Sequence, residues 1–313
     1  MVKETIELQP YPGSEIRGCL GWALRSVSYG KSSHCPTCRN RPDCRYGNIY
    51  SYLFESPKDH PFIVHNVRLQ KYKQQNYPQP MVIYPPVGGV HLQGDIVTVG
   101  ITLIGYAINF LQFLCCGLRL MKMRKISGGA NKIELRGIRD RLADIAPGDS
   151  GKSDQPASEG WKPTVLDLTH FLRQAQRHKN LKSIKIIFLT PFRFRHRNKL
   201  GKELNFYVFF KNILRRITLL SVHSPLDTDI NYSDLLEKAR FVDVVSTNMM
   251  EWYDWERYSS KQRKKMRLGG LVGEIKFSGD LGTFIPYIKL GEFLHVGKGG
   301  SFGLGKYSII ECG

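Results

Sequence analysis

Residues 295–306 read HVGKGGSFGLGK, with five glycines (Gly297, Gly299, Gly300, Gly303, Gly305) and two lysines, Lys298 and Lys306. Glycine admits left-handed backbone and lets a ligand approach main-chain amides closely. Gly300 to Lys306 has the spacing of a Walker phosphate loop as far as the lysine. Tyr307 then stands where a magnesium-touching hydroxyl is needed, and the following KYSII reads as a strand rather than a helix. A dinucleotide pattern started at Gly297 fails because Phe302 occupies its third glycine position. Both nucleotide readings are poor. Amides flanked by Lys298 and Lys306 suit a polyanion backbone, with a tight turn holding nothing as the alternative. His295 nearly abuts the loop. Imidazole moves protons near neutral pH, so His295 is placed to act on a phosphate held there, or to cap the preceding helix.

Four more groups of residues could do chemistry. Cys35-x2-Cys38-x5-Cys44 has knuckle-like spacing, and Cys19, His34 or His60 could supply the fourth ligand of a structural zinc. Three free thiols are the alternative. Arg193, Arg195, Arg197 and Lys199 alternate, so on a strand they would line one face. Lys261, Arg263, Lys264, Lys265 and Arg267 form a second cationic run between two extended segments. Such runs are usually just solvated, but two of them beside the glycine loop favour a phosphate track. Trp252, Trp255 and Tyr258 can stack bases, although core packing is the default for the tryptophans.

The composition agrees. Forty-six Lys and Arg against 27 Asp and Glu give a net charge of +19, and the pI is 9.7. So large an excess points to nucleic acid rather than a merely basic enzyme. Residues 1–8, MVKETIEL, have no apolar signal core. The odd number of cysteines, seven, suits a reducing cytoplasm with thiols free or metal-bound. Residues 101–121 are long enough to span a bilayer but contain Asn109, Gln112 and Arg119. A buried strand running into an amphipathic helix explains them better, so no membrane is expected.

These residues need elements to position them. Ile16, Cys19, Leu20, Ala23, Leu24 and Val27 recur at helical spacing behind a Ser14 cap. Residues 32–46 are polar and turn-like. Strands are expected near 62–69, 81–84 and 96–104, and a helix over 107–123. Residues 146–160 are rich in Gly, Ser, Pro and Asp and form a linker. Beyond it the pattern predicts a helix (166–176), a strand (183–189), helices (205–220 and 232–239), extended stretches (241–258 and 266–277), a helix (281–294) and a terminal strand (306–310). That is the order of a ferredoxin-like β-α-β-β-α-β unit, and the first half reads as a looser copy. The expectation is an α+β chain of two tandem ferredoxin-like (RRM-like) domains, 1–145 and 163–313, joined by a linker at 146–162.

Several stretches, taken in order, carry a family resemblance. "DWERYSS", "GGLVGE", "GDL", "LGEFLHVGKG" and "FGLGKY" resemble the C-terminal domain of the CRISPR-associated endoribonucleases of family six. "FLTPFRF" resembles the strand opening that domain. "GSEIRGCLGWALR", "CPTC…CRYGNIYSYLFE" and "GYAINFLQF" resemble the family's first helix, cysteine segment and second helix. Two places depart from the family. Only about nine residues precede Pro10, too few for its complete first strand. Its further cysteine ahead of the CxxC would fall near Ser28. The resemblance implies metal-independent cleavage of precursor CRISPR RNA in its repeats, leaving a 2′,3′-cyclic phosphate and a 5′-hydroxyl. It implies CRISPR effector or adaptation complex proteins as partners, and no cofactor for catalysis. The family's catalytic histidine tends to follow the first helix, where His34 stands, with Tyr29 as proton donor and Lys31 as phosphate clamp. His295 is the rival. The second function considered is a non-catalytic subunit that binds crRNA with the same fold.

Overall fold

The computed structural model describes residues 1–29, 45–56, 58–63, 77–121, 132–141, 163–174, 178, 180–196, 199–224, 230–247, 249–259 and 264–312. In the first half, β1 (Ile6–Leu8) leads into α1 (Gly13–Tyr29). Then come α2 (Arg45–Phe54), β2 (Met81–Tyr84), β3 (Gly89–His91), β4 (Gly100–Leu103) and α3 (Leu111–Leu120). A short 3-10 helix, Gly105–Phe110, precedes α3 where a continuous helix was expected. The strands make two antiparallel pairs, β1 with β3 and β2 with β4. Among the described residues the first half therefore holds two small pairs rather than one four-stranded sheet. Leu20 and Leu24 of α1, Tyr52 and Leu53 of α2, Ile83 and Leu114 form its core. The expected strand at 62–69 lies mostly outside the described residues, and residues 61–63 are a turn.

The second half is more regular. After α4 (Leu168–Gln174) come β5 (Ser183–Phe192), the small hairpin β6 (Arg195–His196) and β7 (Lys199–Leu200), α5 (Phe206–Leu220) and α6 (Tyr232–Lys238). Then follow β8 (Asp243–Ser246), β9 (Glu251–Tyr253), the hairpin β10 (Glu256–Ser259) and β11 (Lys264–Arg267), β12 (Gly270–Ser278), α7 (Ile285–Leu294) and β13 (Tyr307–Cys312). The main sheet has the order β13-β5-β12-β8. Counting β5, β8, β12 and β13 as first to fourth, this is the fourth-first-third-second order of a split β-α-β unit, with α5 and α7 as the crossovers.

Local chemistry explains these elements. The Asn205 side chain accepts the Val208 amide and caps α5, and Asn231 caps α6 through the Asp234 amide. Pro286 occupies the first turn of α7, where its missing donor costs nothing. Ile184, Ile186 and Phe188 alternate inward along β5 onto Phe206, Phe209, Phe277 and Tyr307.

The halves are packed together. Leu219 of α5 and Val222, in the short 3-10 helix just beyond it, belong to the first-half core. The buried His223 ring contacts the Pro78 carbonyl oxygen at 2.7 Å. No helix of the described residues is long and apolar enough to cross a membrane.

Candidate nucleic-acid interface

The glycine loop runs from the end of α7 to the start of β13, against the first half. His295 (φ 54°), Gly297, Gly299, Gly303 and Gly305 all have positive φ. Gly303 shows why glycine is needed at this junction. A Cβ there would lie 2.4 Å from Pro85 Cδ and 2.9 Å from the Ile83 oxygen, at a φ of +87°. The Arg17 guanidinium of α1 sits 5.6 Å from the Phe302 ring. The loop is thus a packed seam between the halves.

Most of its amides are committed inside the protein. Val296 donates to Gly305, Lys298 to Arg193, Phe302 and Leu304 to Gly299, Gly303 to Gly300 and Gly305 to Pro191. The Lys306 amide donates to Thr190 Oγ1. This corrects the expectation of a loop of bare amides: positive φ serves internal hydrogen bonding at most positions. Among the described residues, no hydrogen bond takes up the amides of Gly299, Gly300 and Ser301.

The two lysines separate. Lys298 is exposed. Partial burial, then the charges of Arg195, Arg193 and Arg215, hold its pKa below the ordinary lysine value. The positive charges of Arg195, Arg193 and Arg215 thus act on Lys298 from the same side of the balance, as neighbouring like charges do. Arg193 is fixed by a 3.0 Å bond from Nη1 to the Gly269 oxygen. Lys306 is different. Its Nζ donates to the Glu292 carbonyl at 2.6 Å and lies 5.6 Å from the Tyr84 ring and 5.8 Å from the Phe293 ring. It braces α7 to the loop and to the first half, so its expected place on the phosphate track is corrected.

His295 is also inside. It is 2 % exposed. Burial, then the charges of Lys306 and Arg216, drive its pKa well below the ordinary histidine value, so it is neutral. Its ring packs edge-on against Tyr84, with centroids 6.1 Å apart. Covered in this way, it fills the seam and does not face a phosphate lying on the surface.

The arginine series does not line one strand face as expected. Strand β5 ends at Phe192, and β6 pairs with β7 with Arg195 opposite Leu200. The chain turns back between them, so Lys199 is in the returning strand. Arg197 lies outside the described residues. The second cationic run sits on the β10–β11 hairpin. Lys264 pairs with Ser259 and Lys265 with Tyr258, while Lys261 and Arg263 lie outside the described residues. The base of this hairpin meets the first half, where Tyr11 packs edge-on against Tyr253 at 5.4 Å and tilted against Trp255 at 5.9 Å. Trp252 packs on the second-half core.

Residues 186–307 match the family described as CRISPR-associated endoribonuclease Cas6. The second half of the chain thus carries the match to Cas6. Residues 1–153 match a family described only as an N-terminal domain. No curated protein matches. A solved chain in a partial Cas6-RT-Cas1–Cas2 complex superposes with a TM-score of 0.60 at 14% identity, covering 99% of this chain and 44% of that one. The present chain therefore spans less than half the length of that relative. Cas6 from Thermus thermophilus gives 0.52 at 14% identity over 99% of this chain and 96% of its own. A Cas6 product complex gives 0.50 at 15% identity over 99% and 100%. At such identities the likeness is one of fold.

The other candidate residues divide by position. Tyr29 is the last residue of α1, and its side chain is not described. Lys31, His34, Cys35, Cys38 and Cys44 lie outside the described residues. Cys19 is buried beside Val2, Ile6 and Leu8, and His60 is buried against Tyr52 and Phe62. Among the described residues no group of His, Cys, Asp and Glu is arranged to hold a metal ion. The sequence reading missed Arg215 and Arg216. Their signal was an arginine pair within an otherwise apolar α5, FYVFFKNILRRITLL.

Proposed function

We propose that this chain is a CRISPR repeat-RNA endoribonuclease that cuts precursor crRNA without a metal ion and keeps the product. The 2′-hydroxyl attacks the adjacent phosphorus and forms the new P–O2′ bond as the P–O5′ bond breaks. A base takes the 2′ proton and an acid protonates the departing 5′-oxygen, leaving a 2′,3′-cyclic phosphate and a 5′-hydroxyl. His34 is the base or acid, by the family resemblance, and Tyr29 and Lys31, close to it in sequence, are the proton donor and the phosphate clamp. The carrying observation is that the exposed Lys298 sits beside the glycine loop against Arg193, its amide donating to the Arg193 oxygen at 2.6 Å, with Arg195 two residues further on. Such a group attracts a phosphate backbone and stabilises a phosphorane.

The division into a first domain (1–145) and a second (163–313), tandem and ferredoxin-like, belongs to the same reading. The two family matches and the second-half strand order support it. So do partners among CRISPR effector or adaptation proteins, in view of the longer Cas6-RT-Cas1 relative, and a cytoplasmic setting. A structural zinc on Cys35, Cys38 and Cys44 is a separate element, checked by metal analysis of the purified protein.

The burial of His295 favours a second reading. If His34 does not act, the chain is a crRNA-binding subunit without catalysis. Repeat RNA incubated with the protein in EDTA separates the two. Cleavage to a cyclic phosphate end, lost in His34→Ala, supports the enzyme. Tight binding with no cut supports the subunit.

A further inference from the structure

Arg216 is out of place by ordinary rules. It lies on α5 beneath the glycine loop, 8 % exposed. Its Nε donates to the Leu294 carbonyl at 3.1 Å, while its buried Nη2 has no hydrogen-bond partner. Burial lowers its pKa to about 10, and no carboxylate contributes to the shift. At neutral pH the side chain is therefore a buried, uncompensated cation. Such a charge is strongly unfavourable unless an anion completes it. Its neighbours offer no relief: Arg216 itself helps keep both His295 and His223 neutral.

The guanidinium is directed toward Gly300. A Cβ on Gly300 would lie 3.1 Å from Arg216 Nη2 and 3.6 Å from His295 Cβ. Above it are the amides of Gly299, Gly300 and Ser301, the loop stretch without internal acceptors. Gly299 is left-handed (φ 83°, ψ 15°) and Gly300 opens a right-handed 3-10 turn. That alternation turns successive N–H groups to one side as an anion-binding concavity. An amide concavity and a covered guanidinium lacking its counter-ion thus share one glycine as the partition between them.

We infer that Arg216 is a positioning residue that acts through the loop, its charge holding one RNA phosphodiester on the amides of Gly299, Gly300 and Ser301. This rests on the RNA reading above and assigns one phosphate of the bound strand. Gly300 keeps the partition thin, since a Cβ there would press on the guanidinium at 3.1 Å.

The test uses the full chain and a set of repeat RNAs, each with one linkage replaced by a neutral methylphosphonate, with binding followed by fluorescence anisotropy. One linkage should lose roughly tenfold in affinity when neutralised, the scale of one close charge pair at an intermediate dielectric. Arg216→Met should weaken the unmodified RNA by a similar factor and show no further loss at that linkage. Arg216→Lys, which retains the charge, should bind nearly as the parent does. The melting temperature of Arg216→Met should stay level or rise, because an apolar chain replaces a buried unpaired cation. The inference is overturned if Arg216→Met binds like the parent, or if its loss adds fully to that of every neutral linkage. If Arg216→Met does not fold, the parent and Arg216→Lys still decide, because absence of a sensitive linkage in either overturns it. RNA binding that persists with Arg216 indifferent sinks only this inference, whereas no RNA binding by the parent protein sinks the functional reading too.

Discussion

Lys298 and Lys306 stand near opposite ends of one glycine loop, and the sequence offers little reason to treat them differently. In the folded chain Lys298 faces solvent among three arginines, while Lys306 is half-buried, bonded to the Glu292 carbonyl and laid against two aromatic rings. A lysine surrounded by like charge is available to an external anion. A lysine whose donor is already placed on a helix carbonyl is a structural strut. The loop thus has a binding end and a bracing end, and what surrounds each ammonium decides which is which.

Four perturbations test that division, the largest expected effect first. Replacing Lys298, Arg195 and Arg215 together by alanine should weaken repeat-RNA binding by roughly a hundredfold or more, at about 1.5–3 kcal/mol per charged hydrogen bond lost. Filter binding measures it, and the melting temperature should hardly move. Unchanged affinity would place the RNA elsewhere.

The second concerns pH. Burial depresses the His223 pKa to about 4 from an unperturbed 6.5. Below pH 6.5 the unfolded chain takes up a proton that the folded chain refuses until about pH 4. Stability should therefore fall by up to about 3 kcal/mol through that window, with no contribution from this group above it. Buried His295 acts in the same direction. Urea midpoints at pH 7.5 and 4.5 should separate in the parent protein and draw closer in His223→Asn. An equal separation in both would show that His223 is not the source.

Third, Gly303→Ala forces a Cβ to within 2.4 Å of Pro85 Cδ at a left-handed φ. The expected cost is about 2 kcal/mol, read as a lowered melting temperature. A neutral result would mean that the seam is looser than its contacts imply. Fourth, Lys306→Met should remove about 1 kcal/mol of stability by leaving the Glu292 carbonyl short of a donor, visible in a denaturant midpoint.

The main sheet of the second half was legible because its side chains follow simple rules. The strand expected at 183–189 is β5, where Ile184, Ile186 and Phe188 alternate inward, and the helix expected at 205–220 is α5, capped by Asn205. Helix α2 was not legible. RYGNIYSYLF is rich in residues that favour strands, and its helix is held by packing Tyr52 and Leu53 into the first-half core, a tertiary override of propensity. The arginine alternation misled because it crosses a hairpin rather than following one strand. The glycine loop was legible as unusual, but three of the acceptors that hold its amides, on Pro191, Arg193 and Thr190, lie more than a hundred residues earlier. No local pattern carries that information. Arg216 was hidden for the same reason, since its missing partner is apparent only once α5 is placed beneath the loop.

The salt dependence of RNA binding compares the two lysines most directly. For the parent protein, Lys298→Ala and Lys306→Ala, the logarithm of the association constant is plotted against the logarithm of salt concentration. A phosphate-contacting lysine contributes about one unit of slope. The division predicts a slope shallower by about one for Lys298→Ala and an unchanged slope for Lys306→Ala. Equal slopes for the two variants, or the loss falling on Lys306 instead, would contradict it.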